Sequence, residues 1–96
     1  MQGGISVGKE LFELGEIVVT PGALELISQF GAVFVLNAHV SGNYGNVSDL
    51  DVKLNQWAIS HGERIISSYS GIWEKAVYVV TERDRSVTTV LLGEEY

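Results

Sequence analysis

Apolar positions in the chain alternate between short β-branched runs and longer stretches at helical spacing. Gly15-Glu16-Ile17-Val18-Val19-Thr20 is short and β-branched and predicts a strand. Thr20-Pro21 then marks a helix start, with a capping hydroxyl and a proline whose missing N–H costs nothing in the first turn. Leu24, Leu26, Ile27 and Phe30 give one apolar face for a helix over 21–30, with Gly31 as its stop. The run AVFVLNAHV at 32–40 is nearly continuous in apolar residues, so periodicity does not separate a buried strand from a buried helix. Its position between Gly31 and Gly42 favours a short helix. Ser48-Asp49-Leu50-Asp51 has the capping residue and first-turn acids of a helix start, and Gly62 closes that helix. Leu50, Leu54, Trp57 and Ala58 form its apolar stripe, which places Trp57 in the core.

Three strand-like pieces follow at 64–69, 76–81 and 86–92, separated by Ser70-Gly71 and Glu82-Arg83-Asp84-Arg85. Short links between sequential strands favour an antiparallel meander. The expected class is α+β, an antiparallel sheet of three to four strands with two or three helices packed on one face. The first strand could pair at either edge. Residues 1–13 read as a poorly defined leader and 14–96 as a single α+β domain.

Composition narrows the function classes. Lys and Arg number 6 against 12 Asp and Glu, a net charge of −6, which argues against direct nucleic-acid binding and against an anionic membrane surface. A partner with a basic surface suits it better. With no cysteine, thiolate nucleophiles and Cys-based metal sites are excluded. The start, Met1-Gln2-Gly3-Gly4-Ile5, has no basic region or long apolar core, so no secretory signal is expected and the cytoplasm is the expected location.

Candidate chemistry concentrates in HVSGNYGNVSD, residues 39–49. His39, Asp49, Asp51 and His61 could in principle ligate a metal, but no HExxH or comparable spacing is present. Serines are plentiful without a GxSxG elbow, so no triad is indicated. SGNYG lacks both phosphate-loop spacings, and Asp49 and Asp51 occupy the place where a phosphate would sit. No cofactor, metal or catalytic residue is therefore assigned. Gly42 and Gly45 suit a tight turn before a helix, which leaves His39, Asn43 and Tyr44 on its rim. Tyr44 and Trp73 sit beside polar turns and are candidate exposed anchors for a partner. Arg83 and Arg85 are the densest positive feature. An arginine there could pack its stem on the sheet and hold the loop.

The residues His39, Gly42-Asn43-Tyr44-Gly45, Asn55, Ser68-Tyr69, Asp84-Arg85-Ser86-Val87-Thr88-Thr89 and Glu94-Glu95-Tyr96 carry a resemblance. From about Leu14 onward the chain resembles a family of small uncharacterised proteins encoded on bacterial plasmids and other mobile elements. That pattern has Asp in place of Asn43, Trp in place of Tyr44 and Pro in place of Gly93. Losing the acid weakens any metal or acid–base role for the loop. The resemblance implies a counter-defence or regulatory protein of a mobile element. Its association with function is one of context.

The sequence reading is thus a non-catalytic protein–protein interaction module, with His39, Asn43, Tyr44, Asn55, Trp73, Arg83 and Arg85 as interaction or polar-network residues. One alternative is a small hydrolase or ligand-binding enzyme using His39 with Asp49 or Asp51. Another is a structural homo-oligomer, a homodimer in its simplest form, in which the C-terminal strand or an exposed sheet edge pairs across a two-fold axis.

Overall fold

The computed structural model describes residues 10–96. The chain runs β1 (Glu16–Val19), α1 (Pro21–Val40), α2 (Asp49–His61), β2 (Ile65–Tyr69), β3 (Val77–Thr81) and β4 (Val87–Leu92), and ends in a short 3-10 turn, Gly93–Glu95. One four-stranded sheet, in the order β1-β4-β3-β2, carries both helices on one face. The class is α+β, and β2, β3 and β4 form the antiparallel meander. β1 differs from the expectation of a wholly antiparallel sheet. It lies parallel to β4, with Glu16 opposite Val87 and Val19 opposite Val90. The two helices return the chain to the far edge, and the hairpins that follow leave β4 running in the direction of β1.

Strand periodicity fixes the two faces. Tyr69, Val77, Val79, Val90 and Leu92 face α1 and meet Ala23, Ile27, Ala32, Val35 and Leu36 in the main core. A smaller cluster of Tyr44, Ala58 and Ile65, with Phe12, Val47, Val52 and Ile59, lies under α2. On the open face, Arg64 pairs with Glu82 at 3.3 Å and the Tyr96 ring folds over Tyr78.

The predicted helices 21–30 and 32–40 are joined as α1. Gly31 is not a stop but a buried position within it. The break falls instead at Ser28, whose φ of 63° and ψ of −179° kink the helix. That helical state settles the ambiguous run at 32–40. By length and composition α1 could cross a membrane, but here it packs against the sheet, with 44% of its most apolar window buried. Thr20 caps it, accepting from the Ala23 N–H and donating to Glu95 at 2.6 Å. That bond, with the Leu92 N–H, holds the Glu95 carboxyl below its ordinary pKa. The second long helix begins and ends where the sequence places it, with Ser48 accepting from the Asp51 N–H and Gly62 in the left-handed conformation.

The leader assigned to 1–13 lies, through residue 9, outside the described residues. Its remainder belongs to the fold. The Leu11 N–H bonds the Val40 carbonyl at 2.9 Å, and Phe12 packs edge-on against His39 at 5.2 Å.

Candidate functional site

His39, the next-to-last residue of α1, enters the interior with no exposed surface. Its Nδ1 lies 2.6 Å from Ser67 Oγ on β2 and its Nε2 lies 2.9 Å from Thr81 Oγ1 on β3. Thr81 contacts Thr88 on β4 at 2.7 Å, and Thr88 donates to the Leu14 carbonyl at 2.7 Å. A carbonyl only accepts, so the direction of the series follows as far as His39. Thr88 spends its proton on Leu14 and accepts from Thr81. Thr81 in turn accepts from His39 Nε2–H, so the ring carries a proton on Nε2. Burial keeps the ring neutral, and its Nδ1 then accepts from Ser67. Burial, with no carboxylate among its hydrogen-bond partners, pushes its pKa down to about 3. His39, expected on the rim of the turn, is instead the buried start of a network across three strands.

The 41–48 loop that follows covers the outer edge of β2. Ser68 N–H donates to the Tyr44 carbonyl at 3.1 Å, and the Asn46 N–H donates to the Ser68 carbonyl at 2.6 Å. One rung along, the side chain of Asn55 from α2 acts as a stand-in strand. Its Nδ2 donates to the Ile66 carbonyl at 2.9 Å and its Oδ1 accepts from the Ile66 N–H at 3.2 Å. Asn46 Oδ1 accepts from the Ser70 N–H at 2.7 Å. Backbone groups that an edge strand leaves open are thereby closed over this length of β2. Asn43 shapes the loop, with Oδ1 accepting from Gly45 N–H and its carbonyl accepting from Tyr69 O–H at 2.6 Å.

Tyr44 corrects an expectation. It is 3% exposed, with its ring edge-on to His39 at 6.3 Å, so it anchors the small core rather than a partner. Among the described residues its hydroxyl has no hydrogen-bond partner, and burial raises its pKa. Trp73 is half-buried, set against the main core and edge-on to Phe34 at 6.5 Å.

Arg85 holds a junction. Its Nη2 donates to the Ala58 carbonyl at 2.9 Å, and its Nη1 donates to the carbonyls of Glu63, Glu82 and Arg83 at 2.7–3.2 Å. The C-terminal end of α2 and the β3–β4 turn are bound by one planar cation. Arg83 extends outward and pairs with Glu63 at 3.2 Å. Asp84 accepts from both the N–H and the hydroxyl of Ser86, which lowers its carboxyl pKa.

The structure does not assemble the His39–aspartate pair. Both ring nitrogens of His39 are engaged by hydroxyls, while Asp49 and Asp51 are exposed at the start of α2. His61 donates back to the Trp57 carbonyl at 2.8 Å and stacks on the Trp57 ring at 4.1 Å. Among the described residues, no group of three or more metal-ligating side chains converges.

The outer surface of α2 was misread from sequence. Leu50, Leu54 and Trp57 are 66%, 52% and 51% exposed, so the strongest apolar stripe faces away from the sheet. The helix instead rests on Asn55 and Ala58, flanked by Val52 and Ile59. Beside the ridge, Val47, Asp51, Leu54, Asn55, Arg64 and Ile66 line a groove of about 240 Å³. A second, weaker stripe through Val52, Asn55 and Ile59 is the sequence signal for the buried side.

No protein-family model matches this chain, and neither the curated proteins nor the solved structures contain a significant match.

Proposed function

We propose that this protein is a binding module whose docking surface is the outer ridge of α2, and that its partner presents an amphipathic helix with basic flanks. The observation carrying this reading is the exposure of Leu50, Leu54 and Trp57 on one helix. Their i, i+4, i+7 spacing is the spacing by which one helix packs its ridge against another. The groove beside Leu54 would receive a partner's apolar side chain. Asp49 and Asp51 at one end of the ridge, on a chain of net charge −6, favour a basic flank on the partner. An exposed tryptophan beside aliphatic residues is the composition in which interface energy concentrates. The resemblance to mobile-element proteins fits the same reading, a cytoplasmic protein that engages a protein of its host. The residues of the 39–49 segment support it indirectly, by fixing the sheet edge on which α2 rests.

Selection from a displayed peptide library tests this. Peptides are enriched on the wild-type chain and counter-selected on Leu50→Ser/Leu54→Ser/Trp57→Ser. The expected outcome is a consensus with apolar residues at helical spacing and flanking Lys or Arg. Binding should weaken with salt and be lost on the triple variant. No enrichment, or equal binding to the triple variant, refutes the proposal.

A further inference from the structure

The two edges of the sheet are treated differently. β2 is covered by Asn55, Tyr44 and Asn46, as described above. Among the described residues β1 is bonded on one side only. The Glu16 N–H reaches the Ser86 carbonyl and the Thr20 N–H reaches the Val90 carbonyl, so alternate residues along β1 face β4. Ile17 and Val19 then direct their N–H and C=O groups outward, and no described residue pairs with them. β1 is short and begins with Glu16, but among the devices against pairing it carries no lysine, proline or bulge. Ile17 and Val18 are each 41% exposed. Next to them Ile17, Val19, Leu24, Ala32, Val33 and Leu36 line a groove of about 400 Å³, in which Gln29 is the one polar residue.

We infer that β1 pairs with β1 of a second copy of this chain, antiparallel about a two-fold axis through Val18. Self-complementarity is what identifies the copy as the occupant. In this register Ile17 of each chain lies opposite Val19 of the other. Their four outward N–H groups and C=O groups are all satisfied, and none is left over. Val18 meets Val18 across the axis. Glu16 lies opposite Thr20, so the one acid of the strand does not face its own copy. The residues brought together on the helix side are Ile17 and Val19, which border the groove, so pairing extends the apolar surface along both α1 helices. The product is a continuous eight-stranded sheet. Because α2 rests on β2 at the far edge, its two ridges lie at opposite ends of that dimer. This inference does not depend on what binds α2, and the variants below leave α2 unaltered apart from one control.

Association is measured by sedimentation velocity from about 1 μM to about 1 mM, a range suited to a small interface. The expected result is conversion of the 10.5 kDa monomer to a dimer. Higher salt should strengthen it, since two acidic copies repel; a basic extended segment on this edge would weaken with salt instead. Val18→Lys places like charges directly opposite and should weaken dimerisation about tenfold or more, with an unchanged melting temperature of the monomer. Val18→Cys puts two thiols at a non-hydrogen-bonded pair, where Cα atoms lie about 4.5 Å apart and a disulfide closes. Mild oxidation should give a covalent dimer from Val18→Cys and none from Leu54→Cys, in a chain with no other cysteine. A monomer throughout the concentration range overturns the proposal. So does a dimer that Val18→Lys leaves intact and Val18→Cys fails to cross-link.

Discussion

Acid should destabilise this protein through His39 before its carboxylates contribute. In the folded chain the imidazole is neutral, accepting from Ser67 and donating to Thr81 in a buried site. A second proton would sit on Nδ1, facing the Ser67 oxygen, with the Phe12 and Tyr44 rings on its flanks. The folded pKa is about 3, against an ordinary value of 6.5 in the unfolded chain. The unfolded state therefore binds the proton first. Stability is complete above pH 6.5, falls by about 1.4 kcal/mol per pH unit below it, and levels off near pH 3. The cumulative loss is about 5 kcal/mol, of which roughly 3 kcal/mol is gone by pH 4.5. Asp84 and Glu95 have lowered pKa values and add acid sensitivity only as their own protonation begins, near and below their ordinary values of 3.8 and 4.5. Urea titrations followed by tryptophan fluorescence, at intervals from pH 7 to 4.5, isolate the histidine. His39→Gln supplies an amide that can accept from Ser67 and donate to Thr81 without titrating. It should be less stable at pH 7, with the slope between pH 6.5 and 4.5 removed. Equal slopes in the two proteins, or a His39 resonance titrating near 6.5 in NMR, would refute the assignment of the buried series.

Three further outcomes follow from the covered edge and the junctions. Asn55→Leu strips the Ile66 N–H and carbonyl of their partners and should cost about 2–3 kcal/mol in urea unfolding; a change under 0.5 would mean water serves equally well. Gly62 and Gly45 both have positive φ, but a Cβ on Gly62 comes no nearer than 4.0 Å to the Arg83 carbonyl, whereas on Gly45 it overlaps the Ser68 carbonyl and the Tyr69 ring. Gly62→Ala should therefore cost about 1 kcal/mol and Gly45→Ala about 3 kcal/mol or more, and parallel thermal melts that rank them the other way would contradict the packing of the loop on β2. Arg85→Lys keeps the charge but cannot span carbonyls on both α2 and the β3–β4 turn, so stability should drop by about 2–3 kcal/mol; a loss no larger than that of Arg83→Lys would deny it the bridging role.

The elements that carry their own local instructions were legible in the sequence. Ser48 and Gly62 bracket α2, Thr20-Pro21 opens α1, and the hairpin strands fall within a residue of their expected bounds. Properties settled by tertiary contact were not. A helix has two sides, and Leu50, Leu54 and Trp57 made the outer side of α2 look like the inner one. The sheet took Asn55 instead, because an amide can complete a strand edge and a leucine cannot. The same competition explains Tyr44. A tyrosine in a polar loop reads as exposed until the loop folds back along β2 and carries the ring inward. Arg85 was read as an arginine that holds its loop, and it does, though its four carbonyl acceptors lie on segments that only folding brings together. The parallel setting of β1 had no local signal at all.

That setting has a consequence for how the domain assembles. The hairpins β2–β3 and β3–β4 join neighbouring segments, whereas β1 must find β4 from nearly the opposite end of the chain, Glu16 meeting Val87. Closing so long a loop is costly before its contacts are made, so β1 belongs to the late steps of folding and the early steps of unfolding. Leu14, which terminates the buried hydroxyl series by accepting from Thr88, is separated from that strand by Gly15 alone. When β1 detaches, Thr88 loses its acceptor and the order of donors back to His39 is no longer dictated. The last strand to arrive is thus the one that fixes where the interior protons lie.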